Sequence, residues 1–176
     1  MRQIFTVGHS THPMEEFASL LRAHGVTLVA DIRTIPRSRH NPQFGEEELQ
    51  ASLPEAGIAY RRLQTLGGLR RTTVDSINTG WKNTSFRGYA DYMQTDAFSD
   101  GIDELLRLAD GRTVAIMCAE AVPWRCHRSL VGDALLVRGV SVNDIYSVSS
   151  AKPHTLTRFA QVEGTTITYP PIPEPV

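Results

Sequence analysis

The stretch Thr113-Val-Ala-Ile-Met-Cys-Ala-Glu-Ala-Val-Pro-Trp-Arg-Cys-His-Arg128 decides how this chain is read. Val114 to Met117 is a short apolar run with the character of a buried strand. Pro123 interrupts regular structure in the loop that follows. After Cys126, the residues Leu130, Val131, Ala134 and Leu135 fall on one helical face, and Gly139 is placed to end that helix. Strand, loop and helix in this order are the repeating unit of a mostly parallel α/β sheet.

The junction is unusually rich in chemistry. It gathers Cys118, Glu120, Arg125, Cys126, His127 and Arg128, including both cysteines of the chain. The first amides of a helix lack internal partners and carry partial positive charge, which favours an anion. Arg125 and Arg128 add forked donors suited to phosphate or carboxylate. A cysteine among such charges has a lowered pKa and serves as a nucleophile. The competing reading is that both thiols are packing residues, since free cysteine is among the most buried residue types.

The segment Met-Cys-Ala-Glu-x-x-Pro-x-x-Cys-His-Arg, residues 117–128, resembles the signature of the uncharacterised domain-of-unknown-function family 488. Thr6 to Ser10, Asp31 to Arg33 with Pro36 and Ser38, Tyr60, Leu66 to Gly68, and Tyr89 to Met93 agree with it, in order, from about residue 4 to residue 148. The resemblance implies an α/β fold and a shared site at these polar positions. It carries over no established activity. The order of strand, cysteine, loop and helix is also similar to the cysteine loops of phosphatases and rhodaneses. However, six residues separate Cys118 from Arg125 where the phosphatase loop has five.

Composition sets the outer bounds. A chain of 176 residues is long enough for one real core, and 41% apolar with 21% charged residues is ordinary for a globular domain. A net charge of −1 argues against a dedicated nucleic-acid protein. Sixteen arginines against two lysines suit phosphate recognition, although codon usage accounts for the ratio as well. No signal peptide or membrane span is legible, and two cysteines make no disulfide scaffold, so a reducing cytoplasm is the expected setting.

From the start, Ile4 to Val7 reads as a strand and Pro13 opens a helix with Phe17, Leu20 and Leu21 inward, ended by Gly25. Ser10, Thr11 or His12 is the expected cap. Thr27 to Ile32 is apolar enough for a strand buried on both faces. Residues 46 to 56 read as a helix disturbed by Pro54, and Ile58 to Tyr60 as a third strand. From Arg61 to Ser85 no periodicity holds, although Gly67-Gly68 permits close backbone approach and Arg70-Arg71 adds positive charge. Phe86 to Met93 and Phe98 to Ala109 read as helices, and Ser141 to Val148 as a last parallel strand. Thr165 to Tyr169 reads as an edge strand before a proline-rich end.

The expected architecture is therefore one α/β domain over residues 1–150, three-layered and Rossmann-like, with a mostly parallel sheet and helices on both faces. A C-terminal extension with the proline-rich tail follows over 151–176. In such a sheet the carboxyl ends of the strands share one edge, where ligands bind. That edge would unite Gly8, His9 and Ser10, Asp31 and Arg33, and the cysteine junction. In this reading Cys118, Glu120, Cys126, His127, His9 and Asp31 are the catalytic candidates, with Asp31 able to orient His9 and Cys126 the leading nucleophile. Gly8, Ser10, Arg33, Arg125 and Arg128 are the candidates for holding substrate. His24 and His154 are set aside. The predicted ligand is an anionic small molecule or nucleotide, with nucleic acid possible, no membrane partner and no cofactor. The reading favours a cysteine-dependent hydrolase or transferase. Its alternatives are a nucleotide or nucleic-acid binding module, a thiol redox pair, or a Cys/His metal site, which lacks the spacing structural zinc expects.

Overall fold

Helical crossovers deliver five strands to one sheet in the same direction. The structure is a computed structural model that describes residues 2–173; residue 1 and the end of the proline-rich tail, 174–176, lie outside the described residues. The strands are β1 (Gln3–Gly8), β2 (Leu28–Asp31), β3 (Ala59–Arg62), β4 (Val114–Cys118), β5 (Ser141–Ser147) and β6 (Ser150–Pro153). They lie in the order β3-β2-β4-β1-β5-β6, with β6 antiparallel to β5 and the others parallel. The helices are α1 (Met14–Ala23), α2 (Glu46–Glu55), α3 (Thr84–Tyr92), α4 (Asp96–Leu108) and α5 (Arg128–Leu136).

Strand alternation sorts the apolar side chains into two clusters. Phe5, Val7, Val29, Ala115 and Met117 pack with Phe17, Leu20 and Leu21 of α1 and Leu49 and Leu53 of α2. Ile4, Leu28, Ala30, Val114 and Ile116 pack with Tyr89, Phe98, Ile102 and Leu105 of α3 and α4 and with Leu130, Val131 and Leu135 of α5. Burying a full Leu, Ile or Phe side chain stabilises by roughly 1.5–3 kcal/mol, so these two groups dominate the stability of the fold.

Local signals explain most helix ends. Asn83 caps α3 by accepting from the Ser85 and Phe86 amides, and Thr95 caps α4 through the Phe98 amide. At α1 the cap expected from Ser10, Thr11 or His12 is absent. Pro13 itself occupies that position without a side-chain bond, because Ser10 is committed to a left-handed turn at φ 49°. Pro54 does not end α2, which continues to Glu55 before Gly57 turns the chain at φ 80°.

Two expectations change. Residues 166–168 do not extend the main sheet: Thr166–Thr168 pairs with Gln161–Glu163 in a separate hairpin. Beside β5 the edge of the main sheet is instead taken by β6, antiparallel to it. The aperiodic stretch is ordered by long-range polar bonds rather than by a local pattern. Asp91 on α3 accepts from the Thr73 amide, the Ser76 hydroxyl and the Asn78 side-chain amide, and Asn78 in turn accepts from the Tyr169 amide.

Candidate functional site

The three polar strand ends meet. In the parallel ladders Gly8 stands opposite Cys118 and Asp31 opposite Met117. Beyond the strands, His9 N donates to Cys118 O at 2.9 Å, Ser10 N to Ala119 O at 3.0 Å, and Ile32 N to Met117 O at 3.1 Å. The chain leaves β1 toward β2 and leaves β4 toward β5, in opposite directions from adjacent strands. Such a switch point opens a crevice at the carboxyl edge of an α/β sheet.

Gly8 makes the closeness possible. A Cβ there would overlap the carbonyl oxygen of Glu120, so the loop after β4 packs directly onto the β1 backbone. Gly68 plays the same part for the expected Gly-Gly pair, since a Cβ there would lie 2.9 Å from His127 Nδ1. Arg70 does not face the crevice as a free charge: its guanidinium lies 3.8 Å over the Tyr92 ring.

A cavity of about 400 Å³ opens at this edge. Of the candidate residues, Cys118, Glu120, Arg33, Arg125, Cys126 and His127 line it, together with Arg37, Ile35, Leu69, Phe86 and Tyr89. Gly8, His9, Ser10, Asp31 and Arg128 are not among its walls. They stand behind it and hold those that are.

Asp31 is a strut. Its carboxylate accepts from Arg33 Nε at 2.9 Å, Arg33 Nη2 at 2.8 Å, the Arg33 amide at 3.0 Å and the Tyr60 hydroxyl at 2.5 Å. The sequence expectation that Asp31 orients His9 is therefore corrected, because Arg33 stands between them and its Nη1 donates to His9 Nε2 at 3.4 Å. His9 Nδ1 donates to the Ser10 carbonyl at 2.9 Å and its ring stacks on Phe44. Burial first, and the Arg33 charge after it, lower the His9 pKa to about 4 despite the Ser10 bond. A neutral, doubly bonded imidazole positions its neighbours and is a weak base.

His127 is held in the same neutral state. Its Nε2 donates to Ile32 O at 2.8 Å, and burial lowers its pKa to about 4. Its Nδ1, left with a lone pair, faces Cys126 Sγ at 3.5 Å.

The two thiols stand in different electrostatic surroundings. Burial pushes the Cys126 thiol well up, and the neighbouring Cys118 pushes it further, so Cys126 keeps its proton. Burial also acts against a Cys118 thiolate, but the neighbouring Cys126 side chain and the charge of Arg128 outweigh it and bring the pKa below the ordinary thiol value. As a thiol, Cys118 instead makes a long 3.7 Å contact to the Glu120 carbonyl. Both residues remain free cysteines, only 2% and 7% exposed.

Arg128 does not reach a ligand in the cavity. It is fully buried, and one nitrogen donates to Ala121 O at 3.2 Å. Its Nε and Nη1 have no partner, and among the described residues no carboxylate forms an ion pair with it. The helix amides expected to cradle an anion are also committed: Arg128 N donates to Cys126 Sγ and Ser129 N to Cys126 O. Positive charge in the cavity comes instead from Arg33, Arg37 and the exposed Arg125. Among the described residues no three His, Cys, Asp or Glu side chains are grouped so as to hold a metal ion.

Sequence reasoning passed over Tyr60, which completes the Asp31 cluster, and His154, which it set aside. His154 Nε2 lies 3.0 Å from Asp133 and its Nδ1 3.1 Å from Asp144, and Asp133 also accepts from the Tyr169 hydroxyl at 2.9 Å. Burial alone would lower its pKa, but the two carboxylates raise it to about 9.

Fold and site together define an α/β protein with a six-stranded, mostly parallel sheet and a thiol-bearing, arginine-lined cavity at its carboxyl edge. More particularly, the chain belongs to the family described as Domain of unknown function DUF488, whose model matches residues 13–135. That span holds Asp31, Arg33, Tyr60 and the whole cysteine junction, while Gly8, His9 and Ser10 precede it. No curated protein and no solved structure matches the chain. Among the described residues no helix is long and apolar enough to cross a membrane.

Proposed function

We propose that this chain is an enzyme acting on an anionic, phosphate-containing substrate, with Cys118 as its nucleophile. The two apolar clusters are read as the two faces of a three-layer, Rossmann-like sheet, which puts the cavity where such folds bind ligands. The observation that carries the reading is the buried Arg128. A guanidinium without a carboxylate partner is costly inside a protein. A Cys118 thiolate compensates it and is itself activated by it. Arg37 and Arg125 then hold the anion, as forked donors do, with Arg33 held in the wall by Asp31.

In this reading the Cys118 sulfur forms a bond to the electrophilic centre while the leaving oxygen departs with its electron pair. Glu120, exposed at the cavity wall, handles the proton of the leaving group and of the water that resolves the adduct. That water returns the sulfur as thiolate. Cys126 keeps its proton throughout.

The test is turnover of a panel of phosphomonoesters and nucleotides by the wild type and by Cys118→Ser. The expected result is turnover that Cys118→Ser abolishes and Cys126→Ser only weakens. Equal activity of Cys118→Ser would end the nucleophile assignment. One observation favours a second reading, the 2% exposure of Cys118. A non-catalytic module would bind the same anions in the arginine-lined cavity, with Cys118→Ser retaining full affinity and no variant or wild type turning over.

A further inference from the structure

On the other side of the Pro123–Arg125 turn lies a second cavity, of about 450 Å³, that shares no wall residue with the first. The two are divided by one ribbon of chain. Arg125 lines the first cavity, and Trp124, the preceding residue, lines the second. Trp124 is 63% exposed, a large aromatic surface left open by the described residues.

The rest of the second cavity is aromatic and electrically balanced. Trp81 is fixed by rings of Phe86, Phe159 and Tyr169 at 5.0, 4.8 and 5.5 Å, yet its indole N–H is buried without an acceptor. Tyr146 faces the same space, with Lys152 Nζ 5.5 Å from its ring centre. The His154 side chain bridges Asp144 and Asp133, and Lys152 and Asp144 line the same cavity. Two cations therefore meet two carboxylates, whereas arginines outnumber carboxylates in the first cavity. The second space suits a flat, uncharged ring that carries hydrogen-bonding edges.

We propose that this second cavity is a nucleobase subsite, with the base stacked on Trp124 and Tyr146. Base stacking on aromatic side chains is tolerant of sequence and needs no charge on the ligand. A nucleotide would then straddle the turn, its base against Trp124 and its phosphate against Arg125. The straddling rests on the anion reading of the first cavity; base binding does not.

Both tryptophans of the chain line this cavity, so tryptophan fluorescence reports on it, and inorganic phosphate controls for changes relayed from the first cavity through Phe86 and Arg125. The wild type is titrated with adenosine, cytidine, their 5′-monophosphates, a 5′-phosphorylated oligonucleotide and inorganic phosphate, with calorimetry for the variants. The expected result is saturable quenching by the nucleosides and about tenfold weaker binding by Trp124→Ala, with Trp124→Tyr restoring it. Circular dichroism of Trp124→Ala should match the wild type, since the side chain is exposed. Absence of nucleoside binding overturns the proposal, as does unchanged binding by both Trp124→Ala and Tyr146→Ala. Arg125→Ala should weaken the nucleotides alone. If Arg125→Ala changes nothing while nucleosides still bind, the anion reading falls and the base subsite stands. An oligonucleotide that binds more tightly than the monophosphates identifies the source as a nucleic-acid strand; equal affinity identifies a free nucleotide.

Discussion

Gly8 stands directly across the β1–β4 ladder from Cys118, and its bare α-carbon is the surface on which the Glu120 carbonyl rests. The position of the thiol and the position of the loop that covers it therefore depend on one missing methyl group. Gly8→Ala forces that loop outward. It should destabilise the fold by about 1–3 kcal/mol, the usual range for overpacking, and increase the alkylation rate of Cys118. Urea denaturation with site-resolved mass spectrometry checks both, and a variant as stable and as inert as the wild type would contradict the packing argument.

The division of roles between the thiols predicts their reactivity. Alkylation of Cys118 should follow a midpoint below the roughly 8.5 of a free thiol, while Cys126 stays inert until well above it. Arg128→Met keeps the volume and removes the charge. It should raise the Cys118 midpoint, because the cation that favours the thiolate is gone. A midpoint that does not move would remove Arg128 from the account of the thiolate.

Stability should fall on both sides of about pH 6.5. His154, raised to about 9, is charged in the fold above the pH at which it is charged in the unfolded chain. Its contribution is complete below about 6.5 and is lost as pH rises through about 9. His9 and His127, lowered to about 4, act oppositely: their buried neutral rings cost nothing above about 6.5, and stability is lost as pH falls toward 4. Thermal unfolding at pH 4.5, 6.5 and 9.5 tests the profile. His154→Asn should flatten its alkaline limb, whose height is at most about 3 kcal/mol.

Tyr60→Phe removes the hydroxyl donor to Asp31 and leaves the ring in place. A bond to a charged acceptor contributes about 1.5–3 kcal/mol, and the loss should appear in urea denaturation. Because Arg33 still holds Asp31 by three bonds, the arginine stays in the cavity wall. Phosphate affinity should therefore change less than stability does. The reverse order would mean that Tyr60 acts on the ligand.

What the sequence made legible follows the range of the interactions. Strand β4, the breaks at Pro123 and Gly139, and the Asp31–Arg33 pair are set by neighbours a few residues apart, and they could be read directly. The convergence of His9, Asp31 and Cys118 was reachable because parallel strands share their carboxyl edge. His154 was not, since its partners Asp133 and Asp144 are 21 and 10 residues away on other elements. The order within residues 67–83 depends on Asp91, a helix residue whose carboxylate gives no periodic signal. Strand position and helix dipole at the cysteine junction were visible in the sequence, while the burial of Cys126 and the isolation of Arg128 were not.

Leu69 has a left-handed backbone, φ 58°, and its side chain is 73% exposed at the lip of the first cavity. A bulky residue in that conformation costs about 1–2 kcal/mol relative to a glycine. Nothing in the packing returns that energy, because the side chain touches mostly water. The leucine is thus maintained against the thermodynamic preference of its own backbone, in the place where an arriving molecule would meet it first. Any effort to make this protein more heat-resistant would choose Leu69→Gly early, at the cost of the most exposed large apolar side chain at that lip.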